Sequence, residues 1–508
     1  MRRGARRAEA AWDAPVLAAI ILLCAGLGCA CAPRATLGGP QRGPDAPDAV
    51  WRLEADAALS RLSVRACFAD PPEVLVPGSP RASRWLVGAV LAPRGSALRV
   101  DGDSGAIDLS EAGAGACVDY TIDLAALLAA GSGGHGARRS AASAFIDPDL
   151  LLWRPRDLPR GYRGRVRFVL PEGLSASSPW PVADDGSRVL DATAFDGTAR
   201  IAVGRLSRFT VPSKRGPMEV AVLDGERAAT DRGIQRWLEA SAAANALVFG
   251  ATDPTPAQVL VIPSPDGDDS PVRFGMAMRG GGAGLLLLLD PRAHDPALPG
   301  EWIAIHELFH LEMPAIRKDD AWLSEGVTMY YSEVLRARAG FLTATEAWQR
   351  LHEGFGRGRR GGTGRSLAEE SRAMGSSHAY MRVYWGGAAI ALAWDVALRE
   401  ASGGRRSLDD AMRHLQACCR VHGRFWSAAE LVEALDDWWE APLFSRIAEP
   451  WLESQDFPDL APLRAELGLE LSDGGDRVRP VPARLSPIRD AITARVPPGA
   501  EHRPGDAP

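Results

Sequence analysis

His306-Glu307-Leu308-Phe309-His310, followed by Trp322-Leu323-Ser324-Glu325-Gly326, decides how the middle of this chain folds. Residues four apart on a helix differ by about 40° around the axis, so one face can offer both imidazoles to a single tetrahedral metal. Glu307 lies one step round, where its carboxylate can take a proton from a metal-activated water. Zinc held this way needs a third protein ligand, and Glu325 is the candidate. Pro314 breaks the first helix, Arg317-Lys318-Asp319-Asp320 supplies a charged turn, and a second helix starts before Glu325. HExxH alone can arise by chance in a chain with nine His, so its setting matters. Trp302, Ile303, Ile305, Leu308, Phe309 and Met313 make the first helix apolar enough to be buried. Two His and a Glu are costly to desolvate there, and a metal offsets that cost.

Further pieces follow in order: Arg338-Ala339-Gly340, then Tyr384-Trp385-Gly386-Gly387-Ala388 running into Trp394-Asp395-Val396-Ala397-Leu398-Arg399, then Gly403-Gly404-Arg405-Arg406-Ser407-Leu408-Asp409-Asp410. With these, the chain from Glu301 to about Arg399 resembles the catalytic domain of the glycyl aminopeptidase family of gluzincins, thermolysin-like zinc peptidases whose third ligand is Glu. The resemblance implies one zinc per chain on His306, His310 and Glu325, Glu307 as general base, and a peptide substrate. It also implies that the Tyr384 phenol hydrogen-bonds the oxyanion, although Tyr380, four residues earlier, could occupy the same surface. Gly386 stands where the family has Lys, so the Lys role does not carry over. The family's Gly-rich strand bears a Glu that pairs with the substrate's amino group. The corresponding stretch, Phe274 to Gly284, contains no acid, and its only charge is Arg279, which would repel an ammonium. Pairing of an extended peptide along that strand is retained, while aminopeptidase and endopeptidase action stay open. Two other readings remain: an inactive peptide-binding protein on the same fold, or a structural envelope lipoprotein.

The length of 508 residues, 46% of them hydrophobic, allows two or three domains. A net charge of −6 gives no indication of a nucleic-acid partner. Lys stands only at Lys214 and Lys318, so Arg clusters read as surface charge. The densest, Gly356 to Gly362, reads as a mobile loop that could cover the cleft. Four Arg precede an apolar stretch, Ala14 to Leu27, and then Gly28-Cys29. This predicts an export signal over 1–31 with Cys29 as lipidation site, the alternative being an uncleaved apolar anchor. Either places the protein outside the cytoplasm, periplasmic or at the cell surface, with membrane contact through that segment only. Cys67 and Cys117 could form a disulfide, while Cys418 and Cys419 read as two small buried side chains.

The expected fold is α+β, with a linker over 32–49 and a β-sandwich-like domain over 50–213, where Leu62, Val64, Ala66 and Phe68 alternate. A thermolysin-like domain, a small sheet plus zinc helices, is expected over 214–395 and a helical region over 396–471. A poorly ordered tail, too short for the PDZ domain of many family members, is expected over 472–508. The sequence leaves the oligomeric state open.

Overall fold

Alternating apolar residues build the N-terminal part of this computed structural model, which describes residues 46–497 except 132–135, 160, 196, 252–254, 266–269 and 473. Ala49–Ala55 turns Ala49, Trp51, Leu53 and Ala55 inward, and Arg61–Phe68 does the same with Leu62, Val64, Ala66 and Phe68. These two strands lie near the middle of a seven-stranded sheet, antiparallel except where Ala49–Ala55 runs parallel to Gly164–Val169. A four-stranded and a three-stranded sheet, with a short helix α1 (Leu124–Ala129), complete this part around Trp51, Tyr120 and Trp153. Each of those rings finds a partner: Trp51 Nε1 donates to Trp153 O, Trp153 Nε1 to Gly105 O and the Tyr120 phenol to Leu151 O. Cys67 and Cys117 sit opposite one another in register and are joined.

A five-stranded sheet follows, in the order Leu206–Val211, Met218–Leu223, Ala257–Pro263, Ala283–Leu289, Val272–Met278. The three inner strands are parallel and the two outer ones antiparallel to their neighbours. Parallel inner strands buried on both faces read as continuous apolar runs, as residues 259–263 of Ala257–Pro263 do. One face, with Val220, Val259 and Leu285, packs on helices α2 (Asp231–Phe249) and α3 (Trp302–Glu312). The other, with Ala221, Leu223, Leu260, Ile262 and Leu286, packs against Phe145 and Ala202 of the N-terminal part. The boundary expected at 213 therefore falls late, because Leu206–Val211 already belongs to this sheet.

Helices α4 (Ala321–Arg338), α5 (Ala344–Arg360), α6 (Leu367–Ser377), α7 (Tyr380–Ser402), α8 (Leu408–Cys419), α9 (Ala428–Trp439), α10 (Leu443–Glu453), α11 (Ala461–Glu466) and α12 (Ser486–Ile492) share one core. The boundary expected at 395 runs through α7, and Trp385, Trp394, Leu431 and Phe444 belong to the same cluster. Gly356 to Arg360, expected in a loop, form the end of α5 instead. The helix persists because Gly358 packs on Trp385 and Phe457, and the Arg357 guanidinium covers the Trp385 ring at 5.0 Å. The tail is also ordered as far as 497: Val478–Pro480 pairs with Leu469–Leu471, Ile492 is buried, and Ile492 O accepts from Arg338 Nε at 2.8 Å. Cys418 and Cys419, expected as two buried side chains, are joined to each other at the end of α8 with Cys418 exposed.

The apolar stretch Ala14 to Leu27, Cys29 and most of the expected linker lie outside the described residues. No helix among the described residues is long and apolar enough to cross a membrane.

Candidate metal centre

Helix α3 starts on Glu301, whose Oε2 accepts from the Ile303 N–H at 2.8 Å, and carries His306 and His310 on one face. Their Nε2 atoms lie 3.1 Å apart. After the break at Pro314, α4 returns Glu325 to this face, with Oε2 3.3 Å from each Nε2. Among the described residues these three form the one group able to hold a metal.

The proton arrangement explains why a cation fits. The Ser332 hydroxyl donates to Thr328 O at 2.7 Å, and the Thr328 hydroxyl to Ser324 O at 2.6 Å. Each hydroxyl is left with lone pairs facing an imidazole Nδ1: Ser332 Oγ at 3.2 Å from His306 and Thr328 Oγ1 at 3.4 Å from His310. The network thus assigns the protons to both Nδ1 atoms and leaves both Nε2 lone pairs aimed at a carboxylate oxygen. Three acceptors facing one another repel unless a cation lies among them. A tetrahedral zinc with bonds of about 2.0–2.1 Å sets its ligand atoms about 3.3 Å apart, which matches this triangle.

Glu307 turns from this triangle toward the edge strand Val272–Met278, where its Oε2 accepts from the Ala277 N–H at 2.8 Å. Contact this close requires Gly275, since a Cβ there would lie 2.6 Å from Glu307 Cγ and 2.4 Å from Ile303 Cγ2. Burial raises the Glu307 carboxyl to about 7. The Gly-rich segment is thus an edge strand followed by a packed turn, and Gly282 has no room for a Cβ against Pro179 O. Arg279 differs from expectation. Its Nη2 donates to the carbonyls of His310 and Met313, the latter at 2.9 Å, so its charge neutralises the C-terminal end of α3.

Tyr384 lies in the first turns of α7, its ring stacked 6.4 Å from that of His306. Burial raises its phenol first, and the Glu325 and Glu307 carboxylates raise it further, so the proton stays on. Tyr380 lies outside it, 40% exposed, with ring centroids 6.5 Å apart. The position of Tyr384 depends on the crossing of α4 and α7: a Cβ on Gly387 would lie 1.8 Å from Trp322 O, and one on Gly326 2.4 Å from Gly387 Cα. Gly386 is buried against Leu367 of α6, where a Lys side chain has no path to the site.

Thr328 and Ser332 were not among the residues expected at the site. Their spacing from Glu325, three and seven residues along α4, is the signal that puts them on its face. Glu301, which caps the start of α3, is buried as well: burial lifts its carboxyl to about 7 against the backbone N–H of Ile303 and the Arg336 charge, which pull it down. A carboxyl raised in the folded state loses stability as pH climbs from its ordinary 4.5 to about 7. Glu301→Gln keeps an acceptor for the Ile303 N–H, so its stability relative to the parent is expected to rise by about 2–3 kcal/mol between pH 5 and pH 8. Urea unfolding at both pH values checks this, and an unchanged gap would remove the ionisation cost from Glu301.

Residues 305–391 match the family model of the M61 glycyl aminopeptidases, so the expected resemblance is borne out over that stretch. Among solved structures, an aminopeptidase N family protein from Idiomarina loihiensis superposes with a TM-score of 0.63 at 14% identity, over 84% of this chain and 79% of that one. A mutant M1 zinc metallopeptidase from Deinococcus radiodurans, bound to a Tyr-Ser-Ala substrate, gives 0.53 at 17% identity over 83% and 96%. The same M1 zinc metallopeptidase without that substrate gives 0.51 at 16% identity, over 83% and 96%. At such identities the likeness is one of fold, and the fold is that of multi-domain aminopeptidases with mixed α and β elements. No curated protein sequence matches this chain. The family match and the His306, His310 and Glu325 group together support a zinc peptidase.

Proposed function

We propose that the chain is an exported zinc-dependent peptidase of the gluzincin type, holding one zinc on His306, His310 and Glu325. The observation that carries the reading is the convergence of three lone pairs beside a buried carboxylate that faces an open strand edge. Zinc, when bound, supplies a Lewis acid that acidifies water to a pKa of about 7 and polarises a carbonyl. The Ala277 N–H fixes the Glu307 carboxylate, which takes the proton from the attacking water and passes it to the leaving amine. The protonated Tyr384 phenol donates to the oxyanion as it forms. The Val272–Met278 edge binds the peptide as an added strand.

Specificity for a free N-terminus is not part of this proposal, because the segment Phe274 to Gly284 offers no carboxylate to an ammonium. Export rests on the Arg-rich start and the apolar stretch Ala14 to Leu27, with Cys29 as the lipidation candidate. The test is metal analysis of dialysed protein together with hydrolysis of one peptide in free and N-acetylated forms. One equivalent of zinc is expected, with cleavage that a chelator stops and added zinc restores. Cleavage indifferent to chelation, or tightly held zinc without cleavage of any peptide, would sink the proposal. Equal rates on the two forms identify an endopeptidase.

A further inference from the structure

Trp348, Leu351 and Phe355 of α5, Leu392 of α7, and Leu467 and Val478 line a cavity that shares no residue with the metal centre. Its enclosed space is about 90 Å³, and it opens to solvent at its mouth. Two observations show that apolar matter alone would not complete it. Trp348 is only 3% exposed, and its Nε1 has no hydrogen-bond partner, leaving a buried donor without an acceptor. At the rim stand Arg359 and Arg464, neither in an ion pair among the described residues. The rim also carries an acid, Asp459, whose Oδ1 accepts from the Ala461 N–H at 2.9 Å, and His352 Nε2 faces Gly475 O at 3.1 Å.

We propose that this cavity binds the end of a short apolar peptide bearing a free C-terminal carboxylate. Its side chains fill the leucine and aromatic walls, a backbone carbonyl accepts from Trp348 Nε1, and the carboxylate meets Arg359 and Arg464 at the mouth. A fatty acid offers a single polar end and cannot satisfy the buried indole and the two guanidiniums together. The site is separate from the metal centre, and its test reads binding without turnover, so either proposal can fail alone.

Full-length chain carrying Glu307→Gln is titrated in a calorimeter with N-acetyl-Leu-Leu-Phe as the free acid, the same peptide as its C-terminal amide, and decanoate. The acid is expected to bind, with the amide and decanoate at least tenfold weaker. Two further variants change exposed or half-exposed positions, and circular dichroism confirms that they fold: Arg359→Ala with Arg464→Ala, and Ala461→Trp, which fills the mouth. Each is expected to weaken the acid at least tenfold. No binding, equal binding of acid and amide, or parent-like binding by both variants overturns the proposal. Decanoate binding more tightly than the acid also overturns it, in favour of a lipid carboxylate.

Discussion

Glu307→Gln is expected to lower kcat/KM for a peptide substrate by about 10²- to 10⁴-fold, the range of a lost general base, while zinc content and folding stay unchanged. Gln has nearly the same shape and keeps an oxygen for the Ala277 N–H, so the strand and helix remain in register. It cannot take a proton from water at any working pH. The same change removes a buried carboxyl whose pKa burial has lifted to about 7, so the folded protein should lose nothing by it. Turnover assays and metal analysis on one preparation check both halves. Near-parent turnover would remove Glu307 from the mechanism, and loss of zinc would make its role structural.

Glu312→Leu is expected to destabilise the protein by about 3–5 kcal/mol, the cost of stranding a buried charge. Glu312 ends α3, where the helix dipole disfavours an acid, and it stays because cations surround it. Arg215 Nε donates to its Oε1 at 2.8 Å, and Gln416 Nε2 and Arg420 Nη1 donate to its Oε2 at 2.9 and 3.1 Å. Arg215 and Glu312 are both buried, at 7% and 5% side-chain exposure. Without the carboxylate, Arg215, Arg420 and the nearby Arg279 repel one another with nothing between them. Denaturant melts at neutral pH measure the loss. A change below about 1 kcal/mol would show that water reaches the cluster and screens it.

Much of the site was legible because helical geometry alone fixes it. HExxH sets two side chains at nearly one angle, and Pro314 with the charged turn returns Glu325 to them within a short span. The N-terminal strands were legible for a similar reason, since period-two alternation survives in Ala49–Ala55 and Arg61–Phe68. What was not legible depends on partners distant in sequence. Gly326 and Gly387 acquire meaning only as a pair at a helix crossing, and neither segment alone announces it. Arg279 was read by its charge, but its direction is set by the carbonyls that end α3. The glycines and arginines near 358 carried a loop composition, which lost to packing on Trp385. In the tail a few anchors, Val478, Leu485 and Ile492, outweigh a polar, proline-rich composition.

The five-stranded sheet has one consequence for how this chain could be divided. Its outer face, Ala221, Leu223, Leu260, Ile262 and Leu286, is covered by Phe145 and Ala202, so a chain cut near residue 205 would carry that face bare into water. Bare apolar sheets seek other sheets, and such a fragment would self-associate rather than report on catalysis. The N-terminal part thus covers the back of the half that carries His306, His310 and Glu325, and a fragment meant for solution work should retain it.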